Sequence, residues 1–286
     1  MALAENTAIL DVAYAVDEGY VRQLATSLTS LVKYCVQPDR LRVTVLHDGI
    51  ATRLCGEIAA SLPDSLDLRF LPIERGRLAN MPLPTRISPW ITSMSFARLL
   101  LPDLLPETER ILYLDADTVV LGDILGLGAM KLDGAPLAAA VDPFIPTWGS
   151  YGGVQNATLV EGREDTLYFN TGVLLIDASG WRAVDLAGVV MAYAEREGAG
   201  ILLGDQEALN AVVAGNFVKL DPVWNTSAFH LEQLPSPEFE VKLAHTRILH
   251  YLGERKPWHE HAEPRRVDLP FLDHAPRRWS ELKARP

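Results

Sequence analysis

The first seventy residues restrict the possible folds more than any other part of the chain. Residues 9–16 are nearly all apolar, the composition of a strand buried on both faces. Val21, Leu24, Leu28, Leu31 and Val32 then recur at helical spacing. Residues 41–46 form a second apolar run that ends in His47-Asp48-Gly49. Residues 52–61 read as a short helix and residues 66–71 as a third strand. Strands alternating with helices predict a parallel sheet with right-handed crossovers. The chain has 286 residues, 48% of them hydrophobic and 22% charged, enough for one large α/β domain with its own core.

Beyond this start, Pro72, Pro82, Pro84 and Pro89 punctuate a loop over residues 72–89, expected as a flap near a ligand or a surface connector. A helix is expected over residues 91–101 and a strand over 110–114 that runs straight into Asp115. Residues 137–141 read as a buried strand ending at Asp142, before a Gly, Trp and Tyr-rich loop over 143–162. A strand over 172–177 leads into a helix after Ser179, with Leu186, Val189, Val190 and Tyr193 on its buried face. Another helix spans 205–213. From Asp221 the pattern is weak, apart from a short apolar strand at 247–249. The organisation expected is one domain over residues 1–262 and a loosely structured C-terminal flank over 263–286.

Formal net charge is −11, so nucleic acid is a poor partner. The acidic balance reads as a simple aid to solubility, or alternatively as a field that favours a neutral or cationic second substrate. No apolar run reaches the roughly 20 residues needed to cross a bilayer. Residues 1–7 lack a basic leader pattern. Cys35 and Cys55 lack metal-type spacing and are expected as reduced thiols, which fits a cytoplasmic setting.

The strongest chemical signal is Asp115-Ala116-Asp117 at the end of an apolar strand. Ligands bind at the carboxyl ends of strands in open α/β sheets. Carboxylates two apart on an extended chain point to opposite sides, but a turn lets both reach one hard divalent cation, Mg²⁺ or Mn²⁺. The same string, completed by Thr118, also fits phosphatases of the haloacid dehalogenase type, with Asp115 as nucleophile. Gly204-Asp205 imitates a later element of those enzymes.

Three further segments separate the readings. His250 leaves an apolar strand, and Gly253, Lys256, Pro257 and Trp258 follow. A histidine nitrogen ligand favours Mn²⁺ over Mg²⁺, and Lys256 is a point charge suited to a departing phosphate. Asn170, just before a buried strand, can donate and accept hydrogen bonds to a sugar hydroxyl. Asp205-Gln206 opens a helix, where Asp205 could equally be an N-cap.

Together these motifs resemble family 8 of the retaining glycosyltransferases, which includes bacterial lipopolysaccharide galactosyl- and glucosyltransferases and the glycogenins. The matching elements run from Leu10 to about Trp258: Ala15 with Asp17, Ala97-Arg98, Asp115 with Asp117, Phe169-Asn170-Thr171-Gly172, Asp205-Gln206 and the His250 loop. The resemblance implies a GT-A type domain with a Rossmann-like, mostly parallel central sheet flanked by helices. It implies a metal-dependent hexosyltransferase that moves a glucose- or galactose-type sugar from a UDP-linked donor to an acceptor hydroxyl. Asp115, Asp117 and His250 would bind Mn²⁺, with Ala116 beside the donor. Ala15, Asp17 and Tyr20 would hold nucleobase and ribose. Arg98, Asn170, Thr171, Asp205 and Gln206 would surround the donor sugar, Gly253 and Lys256 would contact the diphosphate, and Asp142 would meet the acceptor. Two departures stand out: Glu18-Gly19 precedes Tyr20, and Thr171 follows Asn170 where Ala or Ser is frequent.

Retention needs a covalent intermediate or same-face attack. Gln206 is a neutral amide, so same-face attack is the expectation, with Gln206 and Asp205 stabilising a cationic sugar and Asp205 the nucleophile candidate. The acceptor expected is a saccharide or glycolipid, with an amino-sugar small molecule as rival. A non-catalytic nucleotide-sugar binder is a further alternative. The short Arg265-Arg266 and Arg277-Arg278-Trp279 stretches imply at most peripheral membrane contact.

Overall fold

The computed structural model describes residues 8–83, 92–259 and 263–276. The opening pattern becomes β1 (Leu10–Val16), α1 (Val21–Tyr34), β2 (Leu41–His47), α2 (Thr52–Ala59) and β3 (Asp67–Pro72). Two 3-10 turns, Arg75–Leu78 and Ser93–Leu100, precede α3 (Leu101–Leu104), β4 (Arg110–Leu114), β5 (Thr118–Val120) and α4 (Leu125–Gly128). Then come β6 (Leu137–Val141), α5 (Ala157–Val160), β7 (Phe169–Asp177), α6 (Ala178–Ala183), α7 (Leu186–Glu197) and α8 (Asp205–Val213). The last elements are β8 (Val218–Lys219), β9 (Thr226–Ser227), α9 (Ala228–Glu232), α10 (Ser236–His245), β10 (Ile248–His250) and α11 (Leu269–His274).

The main sheet runs β3-β2-β1-β4-β7-β6-β8. It is parallel throughout except at β7, which is antiparallel to both β4 and β6. Alternation along each strand divides the core into two layers. Val12, Tyr14 and Val16 pack with Leu24, Leu28 and Leu31 of α1 and with Ile58 of α2. Ala13, Tyr113 and Leu174 face the other way, onto Trp181 of α6, Val190 of α7 and Leu209 of α8. A second, three-stranded sheet, β5-β10-β9, has its own apolar cluster of Val119, Leu249, Tyr251, Trp258, Val267 and Phe271.

The structure corrects several expectations. β7 starts at Phe169 rather than at residue 172, because its antiparallel partner β6 carries the pairing down to Val141 opposite Phe169. Asn170 and Thr171 therefore lie within the strand. The helix after Ser179 is two helices, separated at Asp185, whose left-handed backbone (φ 47°) caps α7. Val189 points to solvent, and Ala187, Val190, Tyr193 and Ala194 form the buried face. The helix expected over 91–101 is a 3-10 turn passing into α3, and Ile91 lies outside the described residues, as does the stretch 84–90 of the Pro-rich loop. The C-terminal third holds more regular structure than its pattern suggests. Even in the flank, α11 sets Phe271 in the third cluster and packs on α1. Cys35 and Cys55 are both free.

Candidate active site

Because β7 is antiparallel to β4 and β6, its amino end meets the carboxyl ends of β1, β4 and β6 at one edge of the sheet. That edge is where α/β sheets open a ligand crevice. The crevice here is a cleft of about 380 Å³. All the site residues named from the sequence line it: Ala15, Asp17, Tyr20, Arg98, Asp115, Ala116, Asp117, Asp142, Asn170, Thr171, Asp205, Gln206, His250, Gly253 and Lys256.

The turn expected after Asp115 is present. The Thr118 hydroxyl donates to the Asp115 carbonyl at 2.8 Å, and β5 begins at once. Antiparallel pairing of β10 with β5 sets His250 opposite Thr118. One ligand atom each of Asp115, Asp117 and His250 then lies within 4.8 Å of the others. His250 Nε2 is 3.1 Å from Asp117 Oδ1 and 3.8 Å from Asp115 Oδ2, while Nδ1 is 2.9 Å from Asn225 Oδ1. Two carboxylates and an imidazole nitrogen so placed could hold a divalent cation. Gly172 is part of the fit, since a Cβ there would stand 2.1 Å from His250 Cε1 and 2.9 Å from Asp115 Oδ2.

Positive charge is built in. Lys256 Nζ donates to Asp117 Oδ2 at 2.8 Å and to the Tyr251 carbonyl. Burial alone would raise the Asp117 carboxyl, but the Lys256 ammonium and His250 hold it well below the usual range. Arg98 is 4% exposed and spans the site. It reaches Asp115 Oδ1 at 3.0 Å and Asp205 Oδ2 at 3.1 Å, donates to the Ser95 and Thr171 carbonyls, and lies 4.4 Å over the Tyr113 ring. Burial opposes its charge, yet the two carboxylates outweigh burial and lift its pKa further. Most of its donors are consumed, so it braces Asp115 and Asp205 against each other. Tyr113 adds a hydrogen bond to Asp115 Oδ1 at 2.8 Å, and burial keeps its hydroxyl neutral.

Elsewhere in the cleft, Asp142 Oδ1 accepts from the backbone N–H of Phe144 and Ile145, which leaves Oδ2 to accept from Asn170 Nδ2 at 3.0 Å and Gln206 Nε2 at 3.1 Å. Gln206 Oε1 accepts from Asn170 Nδ2 and the Thr171 N–H, each at 3.1 Å. Asp205 is not the N-cap of α8, a position held by Gly204; its carboxylate turns inward to Arg98. Burial, only partly opposed by Arg98, raises the Asp205 pKa. At the other end, Asp17 Oδ1 caps the turn Glu18–Tyr20 by accepting from the Gly19 N–H at 2.8 Å.

Three features escaped the sequence reading. Tyr113 was read only as a strand residue. Phe144 lines the cleft, 45% exposed, and stacks with Phe229 and His230 at centroid distances of 5.3 and 4.5 Å. Asn225, buried between two short elements, touches both His250 and Asn170. Arg265 and Arg266 are held in ion pairs with Asp268 and Glu232, and residues 277–279 lie outside the described residues.

The family model described as Glycosyl transferase family 8 matches residues 11–262. The chain belongs to this family. General stress protein A of Bacillus subtilis is 25% identical to the transferase over 267 residues, 89% of each chain. The lipopolysaccharide 1,2-glucosyltransferase of Escherichia coli is 28% identical over 275 residues, covering 92% of this chain and 76% of that one. The crystal structure of the galactosyltransferase LgtC, in complex with donor and acceptor sugar analogs, superposes with a TM-score of 0.76 at 25% identity. It covers 94% of this chain and 99% of that one. The family 8 transferase thus has the GT-A fold, and the haloacid dehalogenase alternative falls away. Among the described residues, no helix is long and apolar enough to cross a membrane.

Proposed function

We propose that this transferase moves a glucose- or galactose-type hexose from a UDP-linked donor to an acceptor hydroxyl, with Mn²⁺ and with retention at the anomeric carbon. The observation that carries the reading is the convergence of Asp115, Asp117 and His250 in the same cleft as Lys256 and the Asn170–Asp142–Gln206 network. A divalent cation at the triad, Mn²⁺ or less well Mg²⁺, would supply positive charge to the diphosphate leaving group. Lys256 Nζ adds a charge-assisted donor at the same edge and stabilises negative charge as it develops on the β-phosphate. Ala15, Asp17 and Tyr20 bind the uridine end, and Gly253 leaves backbone room for the diphosphate.

Gln206 has its amide fixed by Asp142 and Thr171, so its Oε1 dipole is oriented before the sugar arrives. It stabilises the cationic sugar as an amide and not as a nucleophile. Asp205 is drawn onto Arg98, which favours same-face attack over a covalent intermediate on that carboxylate. The exposed Phe144–Phe229–His230 cluster suits the apolar face of a sugar ring, which fits a saccharide or glycolipid acceptor and an amino-sugar small molecule alike. Two free cysteines agree with a cytoplasmic reaction.

The test is a thermal-shift panel of nucleoside diphosphates with and without Mn²⁺, followed by hydrolysis of UDP-hexoses without acceptor. The reading expects UDP to stabilise in a Mn²⁺-dependent way, by about 2.7 kcal/mol at a hundredfold excess over Kd. No stabilisation by any nucleotide overturns it. Donor binding with neither hydrolysis nor transfer shows a binding protein instead.

A further inference from the structure

Asn225 follows the 3-10 turn Pro222–Trp224 and directly precedes β9. Parallel pairing of β9 with β10 brings Ser227 beside His250, so the amide of Asn225 lies against the imidazole. It is 5% exposed, and both ends of the amide are engaged: Oδ1 with His250 Nδ1 at 2.9 Å, and Nδ2 with Asn170 Oδ1 at 2.9 Å.

The direction of these hydrogen bonds is forced. Asn170 turns its Nδ2 toward Asp142 Oδ2, which also accepts from Gln206 Nε2. That leaves Asn170 Oδ1 facing the other way, where it accepts from the Gly172 N–H at 3.0 Å. An oxygen there requires a donor from Asn225, so Asn225 presents Nδ2 to Asn170 and Oδ1 to His250. Nδ1 of His250 must then carry a proton. With Nδ1 committed to Asn225, Nε2 is the ring nitrogen left to offer a lone pair to a cation beside the oxygens of Asp115 and Asp117. Three lone pairs converging in one place form a cation site.

We propose that Asn225 is a positioning residue that fixes the His250 tautomer and ties it to the sugar-binding amide of Asn170. One polar chain, Asp142–Asn170–Asn225–His250, then sets the orientation of a metal ligand and of the sugar pocket together. The inference rests on the reading of Asp115, Asp117 and His250 as Mn²⁺ ligands. It adds that donor sugar and cation are coupled through protein as well as through the diphosphate.

Two substitutions take the two ends of the amide apart. Asn225→Leu removes both hydrogen bonds at similar size. Asn225→Asp keeps an oxygen for Nδ1 of His250, a carboxylate partner common behind metal-bound histidines, but it places an oxygen against Asn170 Oδ1. The first measurement is Mn²⁺ affinity, from the free-ion signal in electron paramagnetic resonance. The second is the Kd ratio of UDP to UDP-hexose in saturating Mn²⁺.

Asn225→Leu should lose about 10–100-fold in Mn²⁺ affinity. Asn225→Asp should hold it within about threefold of the parent, yet lose about tenfold in UDP-hexose affinity with UDP affinity unchanged. A residue that only fills space would move both variants alike. Equal Mn²⁺ affinity in parent and Asn225→Leu overturns the inference, as does an equal loss in both variants. An unchanged Kd ratio in Asn225→Asp overturns the tie to Asn170. Failure of the parent itself to bind Mn²⁺ overturns the underlying metal reading instead.

Discussion

Gly172→Ala tests the candidate site with a single methyl group. Gly172 sits inside β7 with its carbonyl accepting from the Asp115 N–H at 2.8 Å and its own N–H given to Asn170. Its backbone cannot retreat without breaking the β4–β7 ladder. An added Cβ would lie 2.1 Å from His250 Cε1, 2.7 Å from Nδ1 and 2.9 Å from Asp115 Oδ2. Ordinary contact begins at 3.4 Å, so the imidazole must move out from 2.1 Å to that distance. Metal–ligand distances tolerate only about ±0.2 Å. Overpacking of this kind costs about 1–3 kcal/mol, which for a domain of this size lowers Tm by several degrees. We therefore expect a folded variant with Mn²⁺ affinity reduced at least about tenfold, read by calorimetric titration beside a thermal melt. Parental Mn²⁺ affinity in a well-folded Gly172→Ala would refute the reading of Asp115, Asp117 and His250 as metal ligands.

Lys256→Ala should lower kcat of hexose transfer by about 10²–10³-fold while Mn²⁺ still binds, and steady-state kinetics with the parental kcat would count against its leaving-group role. Phe229→Ala should raise KM for a saccharide acceptor by up to about tenfold, from the roughly 0.5–1.5 kcal/mol of a ring contact, with donor hydrolysis unaffected. His274 donates from Nδ1 to the Pro270 carbonyl and faces Lys33 Nζ at 3.1 Å, and burial lowers its pKa. Its contribution is therefore complete above the unfolded value near 6.5 and is lost as pH falls toward the lowered folded value. Urea denaturation at pH 7.5 and 5.5 should show parent stability falling, by no more than the single-group limit of about 1.4 kcal/mol per pH unit. His274→Gln should flatten that slope, and an unchanged slope would refute the assignment.

Long, strongly periodic elements were legible in the chain. The alternation through α1 needed only local chemistry, because Leu24, Leu28 and Leu31 share one helical face. Asp115 could be placed at a strand end because Ile111, Leu112 and Tyr113 announce burial before it. The cleft was legible in its charged and amide residues, whose types carry chemistry that a core does not need. What stayed hidden depended on distant pairing. β9 is two residues long and β5 and β10 three, too short for any period, and they exist because they pair with one another. Asn225 takes its role from that pairing, so nothing beside it in the chain marks it. Asp205 fits an N-cap locally, and only buried Arg98, far away in sequence, draws its carboxylate inward.

The small sheet β5-β10-β9 has a consequence for how the molecule is made. Asp117 and His250 stand about 130 residues apart, and β5 has no partner until β9 and β10 exist. Chains emerge from the ribosome at about 5–20 residues per second, so β1, β2 and β3 can pair many seconds before the histidine is available. A nascent chain can thus bury much of its core while Asp115 and Asp117 still lack His250 beside them. Long-range closures of this kind are the slow steps of folding. A cation that bridges Asp115, Asp117 and His250 would close that loop like a late clasp, joining the last-made strand to the middle of the chain.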